Sequence, residues 1–168
     1  MSLDPATLHA LAAFPRQLEQ FYAAIPPAFT HWSPPSWDGI PSESFTAIEQ
    51  ICHVRDIEID GYQQRLRRTL EEDAPVLDSL DGYALARERN YAAADANEVF
   101  AVFRDARAAT VQSIIALDAQ QLRRTAMFDD YGLVTLRSLV HALCSHDQQH
   151  LAGLQWLLAK IDALSIRA

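Results

Sequence analysis

Leu136-Arg137-Ser138-Leu139-Val140-His141-Ala142-Leu143-Cys144-Ser145-His146-Asp147-Gln148-Gln149-His150-Leu151-Ala152-Gly153-Leu154-Gln155-Trp156-Leu157-Leu158-Ala159-Lys160-Ile161 repeats apolar residues at steps of three and four. That spacing marks a helix with one face turned to a core. The row 139, 143, 146, 150, 154, 157, 161 should carry Leu or Ile throughout, yet its middle holds His146 and His150. Residues four apart stack on one helix face, so the two imidazoles project side by side from the buried side. Two polar rings in that position cost free energy unless something satisfies their nitrogens. A divalent metal would do so, and so would hydrogen bonds within a core; the spacing alone leaves both open.

Upstream of this helix, Asp129-Asp130-Tyr131-Gly132 is a turn signal, and Thr135 is placed to cap the helix itself. Asp95 with Glu98 three residues later has the form of a capping box. It opens a helix carrying Val99, Phe100, Val102, Phe103, Ala106, Val111, Ile114, Ile115 and Leu117 to about residue 118. Between 74 and 94 the pattern is weak and broken by Pro75 and Gly82, which predicts a loop with one short helix over Tyr83 to Arg89.

Ser42 or Ser44 can cap a further helix that runs to about Asp73, where Pro75 forbids continuation. Phe45, Ile48, Ile51, Cys52, Ile59, Tyr62 and Leu66 form its buried side, and His53 lies beside that stripe in a row with Glu49, Ile57 and Asp60. Asp4-Pro5 starts a first helix over about residues 5–25, with Pro15 near enough to its beginning to kink it, and Pro26-Pro27 ends it. The connection through Trp32, Pro34, Pro35, Trp37 and Pro41 is too proline-rich for regular structure, but its two tryptophans require packing against the body. Four long amphipathic helices without a convincing alternating strand predict an all-α four-helix bundle, one domain over residues 1–168, with a Pro/Trp-rich connection between helices 1 and 2.

Composition agrees. Hydrophobic residues make up 49% and glycines number only 5, a mix that favours helix. The formal charge of −8 repels phosphate backbones and anionic lipid, and no basic stripe compensates, so neither nucleic acid nor a membrane surface is expected as a partner. Arg65, Arg67 and Arg68 are answered within a turn by Glu71, Glu72 and Asp73, the pattern of a salt-bridged helix face. The N-terminus lacks the basic and apolar regions of a leader, and no apolar run reaches the roughly 18 residues of a membrane span, so the expected location is cytoplasmic. Cys52 and Cys144 fall inside helices and read as reduced, buried packing residues.

Of the six histidines, His9, His31 and His141 read as ordinary core or surface residues, while His53 is the only one inside the second helix. Bundles build metal sites from side chains on facing helices, which makes His53 the candidate third ligand beside His146 and His150. This arrangement, one His in helix 2 and a His-x-x-x-His in the last helix, resembles the DinB-like superfamily of metal-binding four-helix-bundle proteins. The resemblance rests on His53 within Glu49–Asp56, on His146-Asp147-Gln148-Gln149-His150-Leu151, on Trp32, Pro34, Pro35 and Trp37, and on Gly132-Leu133-Val134-Thr135-Leu136. It spans about residues 5 to 161. One departure is Gly153, where members often carry Gln; here Gln155 stands two positions later.

Three neutral imidazoles leave coordination positions open on Zn²⁺ or Ni²⁺, the mark of a catalytic or ligand-binding site. Such a metal acidifies water or holds a thiol as thiolate. The resemblance implies a metal-dependent S-transferase that activates a low-molecular-weight thiol toward an electrophilic substrate. A non-catalytic metal- or ligand-binding bundle and a metal-dependent hydrolase are the alternatives. Glu49, one turn before His53, can orient that ring, and Asp147 can serve a neighbouring group, though an ordinary ion pair is the simpler role for each carboxylate. High apolar content adds the expectation of a homodimer.

Overall fold

The computed structural model describes residues 3–165; Met1 and Ser2, on which the reading of a leaderless N-terminus partly rests, lie outside them. Helix α1 (Pro5–Ala24) begins as its sequence dictates: the Asp4 carboxylate accepts from Thr7 N–H at 2.8 Å and Pro5 takes the first helical position. It buries Leu11, Phe14 and Leu18, and Ile25 turns extended before Pro26. The chain then crosses one end of the bundle, with Trp37 stacked on Trp156 at 6.0 Å between ring centroids.

Helix α2 (Ala47–Asp56) starts after Thr46, not at Ser42 or Ser44, because the Glu49 carboxylate accepts from both the Thr46 backbone N–H (2.9 Å) and hydroxyl (2.7 Å). The helical rod does not run uniformly to residue 73. Ile57–Gln63 widens into a π-helical segment, and α-geometry resumes in α3 (Gln64–Glu71). A π-segment accommodates extra residues in a helix and re-aims the side chains beyond it. Here it carries the buried Glu58 and Tyr62.

The chain returns along the outside of this rod through β1 (Val76–Leu77), the short α4 (Gly82–Glu88) and a tight turn at Tyr91–Ala93. Tyr91 donates its hydroxyl to Asp56 at 2.7 Å, and Arg89 pairs with Asp56 (2.9 Å) and Asp60 (2.7 Å), pinning the return segment to α2. Helix α5 (Ala96–Ile115), capped by Asp95, then packs along α1, with Phe103 edge-on to Phe14 at 5.8 Å. Strands β2 (Thr125–Phe128) and β3 (Gly132–Thr135) form a hairpin before the last helix, α6 (Leu136–Ser165).

The strands correct the all-α expectation. β1 lies parallel to β2 and β2 antiparallel to β3, giving a small sheet in the order β1-β2-β3. Leu77, Ala126 and Phe128 point into the core while Val76, Met127 and Leu133 face solvent. Gly132 closes the hairpin at φ +71°, a conformation that favours glycine. No strand among the described residues exceeds four residues, and β1 meets a partner some fifty positions away, so local alternation had too little length to register.

Helix α1 packs on α5 and α6, and α2 packs on the same two helices, so α1 and α2 sit across a diagonal. Two apolar clusters fill the bundle. One centres on Phe14, Leu18, Ile51, Phe103, Leu154 and Leu157; the other, under the sheet, on Leu11, Leu77, Ile114, Phe128, Leu139 and Val140. Between them lies a polar layer. Arg107 of α5, 1% exposed, donates to Asp147 of α6 at 2.6 and 2.9 Å, to Glu58 of the π-segment at 2.9 Å and to the Leu11 carbonyl of α1 at 3.3 Å. Cys52 is buried and Cys144 only half-buried; both are free thiols.

Removing one partner from a buried ion pair strands the other's charge, at a cost of about 3–5 kcal/mol. Arg107→Met is therefore expected to destabilise the fold by that amount, read as a fall in the urea midpoint. A loss below about 1 kcal/mol would show that the cluster does not hold the helices together.

Candidate metal centre

His53 on α2 and His146 and His150 on α6 converge. His146 Nε2 stands 3.3 Å from His53 Nε2 and 3.1 Å from His150 Nε2. A fourth group that sequence reasoning did not select joins them: Glu43, on the Pro/Trp-rich connection, places Oε1 3.5 Å from His53 Nε2 and Oε2 3.4 Å from His150 Nε2. One donor atom from each of the four residues lies within 4.8 Å of every other. Imidazole nitrogens held tetrahedrally at the usual Zn–N length of about 2.0–2.1 Å stand about 3.3–3.4 Å apart. The His53–His146 and His146–His150 spacings fit a divalent metal of that size, with the Glu43 carboxylate beside it, and imidazole nitrogen accepts several such metals.

His53 and His150 are buried, whereas His146 is half-buried and the Glu43 side chain is 35% exposed, so solvent reaches the cluster from the Glu43 and His146 side. Burial, reinforced by His53, holds His146 neutral down to about pH 3. Burial and the neighbouring rings push His150 well below the usual imidazole range, and burial lowers His53 against the pull of Glu43 and Asp56. All three rings thus present lone pairs at neutral pH, the state in which imidazole binds a metal.

Each ring is held from behind. The Nδ1 of His150 meets the Oε1 of Gln50, a fully buried residue of α2, and the Gln50 amide nitrogen reaches Ser42 Oγ at 2.9 Å and the carbonyls of Glu43 and Phe45 at 3.3 Å each. His53 lies against Phe45 at 5.1 Å and beneath Gly82 of the return segment. A Cβ on Gly82 would fall 2.6 Å from His53 Cε1 and 2.8 Å from its Nδ1, so only glycine lets the backbone pass there. His146 packs 6.0 Å from Tyr62 of the π-segment.

The remaining sequence candidates lie outside the cluster. Glu49 does not orient His53; its carboxylate is spent on Thr46 at the α2 cap. Asp147 points away from its neighbour His146, as a residue one position on must, and forms the buried pair with Arg107. Burial pushes the Asp147 carboxyl up to about 7, with Arg107 acting against that rise. His141 is exposed beside Arg137 and Thr7. Gly153 sits under the Ser42–Gln50 contact, where a Cβ would lie 2.5 Å from Ser42 Oγ and 3.0 Å from Gln50 Nε2. The lone signal for Gln50 was its place one helical turn before His53; for Glu43, on an irregular connection, there was none.

An unfolded imidazole takes up a proton near pH 6.5, the ordinary value of the free ring. Below that pH the unfolded chain binds protons that the metal-free folded chain refuses, so stability is lost as pH falls from about 6.5 toward 3, and nothing is lost above it. The urea stability of chelator-treated protein is expected to drop across this window, and His146→Gln to flatten the slope by about 1.4 kcal/mol per pH unit. An unchanged slope in the variant would show that His146 is not held neutral by the fold.

Known proteins agree with this architecture. No curated protein matches the chain. Among solved structures, YfiT from Bacillus subtilis, described as "a probable metal-dependent hydrolase with an unusual four-helix bundle topology", superposes with a TM-score of 0.81 at 19% identity, over 96% of this chain and 91% of that one. At that identity the likeness is one of fold. A family model for the DinB superfamily matches residues 10–154. With most of its length inside that match, and its helical bundle superposing on YfiT, this chain belongs to the DinB superfamily.

Proposed function

We propose that His53, His146 and His150 hold a divalent metal, zinc or nickel, and that the protein is a metal-dependent enzyme using a small nucleophile at this site. The observation that carries this reading is the convergence of three imidazole Nε2 atoms and one carboxylate in a layer where apolar side chains would otherwise belong. A bound metal would supply Lewis acidity, lowering the pKa of a nucleophile brought to the open side.

The chain's own groups do the rest. Glu43, at the solvent-facing mouth, takes up the proton that the nucleophile gives up, and its two oxygens already span His53 and His150. Gly82 and Phe45 close the site behind His53, which confines the reactants to the Glu43 and His146 side. By the family resemblance the nucleophile is a low-molecular-weight thiol: its S–H proton passes to Glu43, sulfur bonds to the electrophilic carbon, and the leaving group departs with its electron pair. Hydrolysis is the second reading. It is favoured by the description of YfiT and by the carboxylate at the mouth, which suits activation of water equally well.

Elemental analysis of untagged protein is expected to give near-stoichiometric metal, lost in His53→Ala and His150→Ala while helix content persists. A parent that is empty and takes up neither Zn²⁺ nor Ni²⁺ would overturn the assignment. Glu43→Gln is expected to keep the metal and lower turnover about 100-fold or more, the usual scale for a general base. Loss of an electrophile only when thiol is present marks S-transfer, and loss without thiol marks hydrolysis.

A further inference from the structure

We infer that Gln50 is a positioning residue that fixes the tautomer of His150 and, through the same amide group, clamps the loop carrying Glu43. This rests on the metal-site reading above and extends it to how the ligands are held. The orientation of the Gln50 amide follows from its surroundings. Ser42 Oγ donates to the Glu43 carbonyl at 3.2 Å, so its proton is engaged and it turns a lone pair toward Gln50. The carbonyls of Glu43 and Phe45 can only accept. Three acceptors on one side require the NH₂ end of the amide to face them, which turns Oε1 toward His150.

Oε1 can only accept, so the His150 Nδ1 must carry the proton, and its Nε2 presents a lone pair to His146 and Glu43. A chain of obligatory donors and acceptors thus runs from the loop backbone, through one buried side chain, to the atom that faces the metal position. Gly153 keeps this arrangement possible, since any side chain there would strike Ser42 Oγ and Gln50 Nε2.

The test compares Zn²⁺ affinity, by competition with a chromophoric chelator, in the parent, Gln50→Met, Gln50→Glu and Gly153→Ala, with helix content and metal-free thermal unfolding measured alongside. Gln50→Met keeps the volume and removes both hydrogen-bonding functions, and is expected to weaken Zn²⁺ binding about 10- to 100-fold, the scale for losing a partner behind a ligand. Gln50→Glu restores an acceptor to His150 but loses the amide donors to the Glu43 and Phe45 carbonyls, and is expected to recover part of that loss. Gly153→Ala, which displaces the clamp without deleting any group of it, is expected to weaken binding in the same direction and keeps the question answerable should Gln50→Met fail to fold. Folded Gln50→Met or Gly153→Ala binding within twofold of the parent would overturn the inference, as would Gln50→Glu binding no better than Gln50→Met. Failure of the parent itself to bind Zn²⁺ would instead overturn the metal-site reading, so the two failures are distinguishable.

Discussion

One guanidinium ties three helices of this bundle to the π-segment that continues α2. Arg107 rises from α5 to Asp147 on α6, Glu58 on the π-segment and the Leu11 carbonyl on α1, and it lies against the rings of Phe14 and Phe103, 5.1 Å from each centroid. A cation buried this deeply is tolerable where carboxylates answer its charge, and aromatic rings beside it add a favourable contact. These contacts tie α1, α5, α6 and the π-segment that continues α2 to one another. The apolar clusters on either side could tolerate small slips, because hydrophobic packing is non-directional. The polar layer between them cannot.

The same layer contains the histidine cluster, and the two halves share a helix turn. Asp147 follows His146 directly, so the register that brings Asp147 to Arg107 also sets where His146 emerges on the adjoining face of α6. The Arg107 charge helps keep His146 unprotonated, after burial and His53. The π-segment contributes to both halves, with Glu58 on the guanidinium and Tyr62 against His146. A locally widened helix of this kind is a recurrent device at functional sites. Here it lets one rod serve the ion cluster and the histidine cluster within a few residues.

The histidines on helices were legible in the sequence because helical periodicity turns a misplaced polar residue into a signal: His146 and His150 interrupt a Leu row, and His53 is alone in its helix. Glu43 carried no such signal. It sits on an irregular connection among prolines, and only the path of the backbone, with Ile48 N–H bonded to the Thr30 carbonyl at 3.1 Å, brings it over the cluster. Glu49, one turn before His53, was the natural candidate to support that ring; the sequence also contained its true role, a capping box with Thr46, which competes for the same carboxylate. The sheet escaped for lack of length, and the π-segment because apolar spacing read against a regular helix does not mark where a turn widens.

The return segment laid over α2 gives the site a kinetic character. His53 and His146 are 93 positions apart, Gln50 and His150 100, and Arg107 and Leu11 96. Each of these contacts closes a long loop, and loop closure costs entropy before the contact returns anything. A zinc finger can gather nearby ligands and fold around the ion, but no short stretch of this chain contains even three of the converging groups. The histidine cluster comes together only when α2 and the last helix are in register, so a polypeptide emerging during synthesis cannot assemble it until α6 has been made as far as His150.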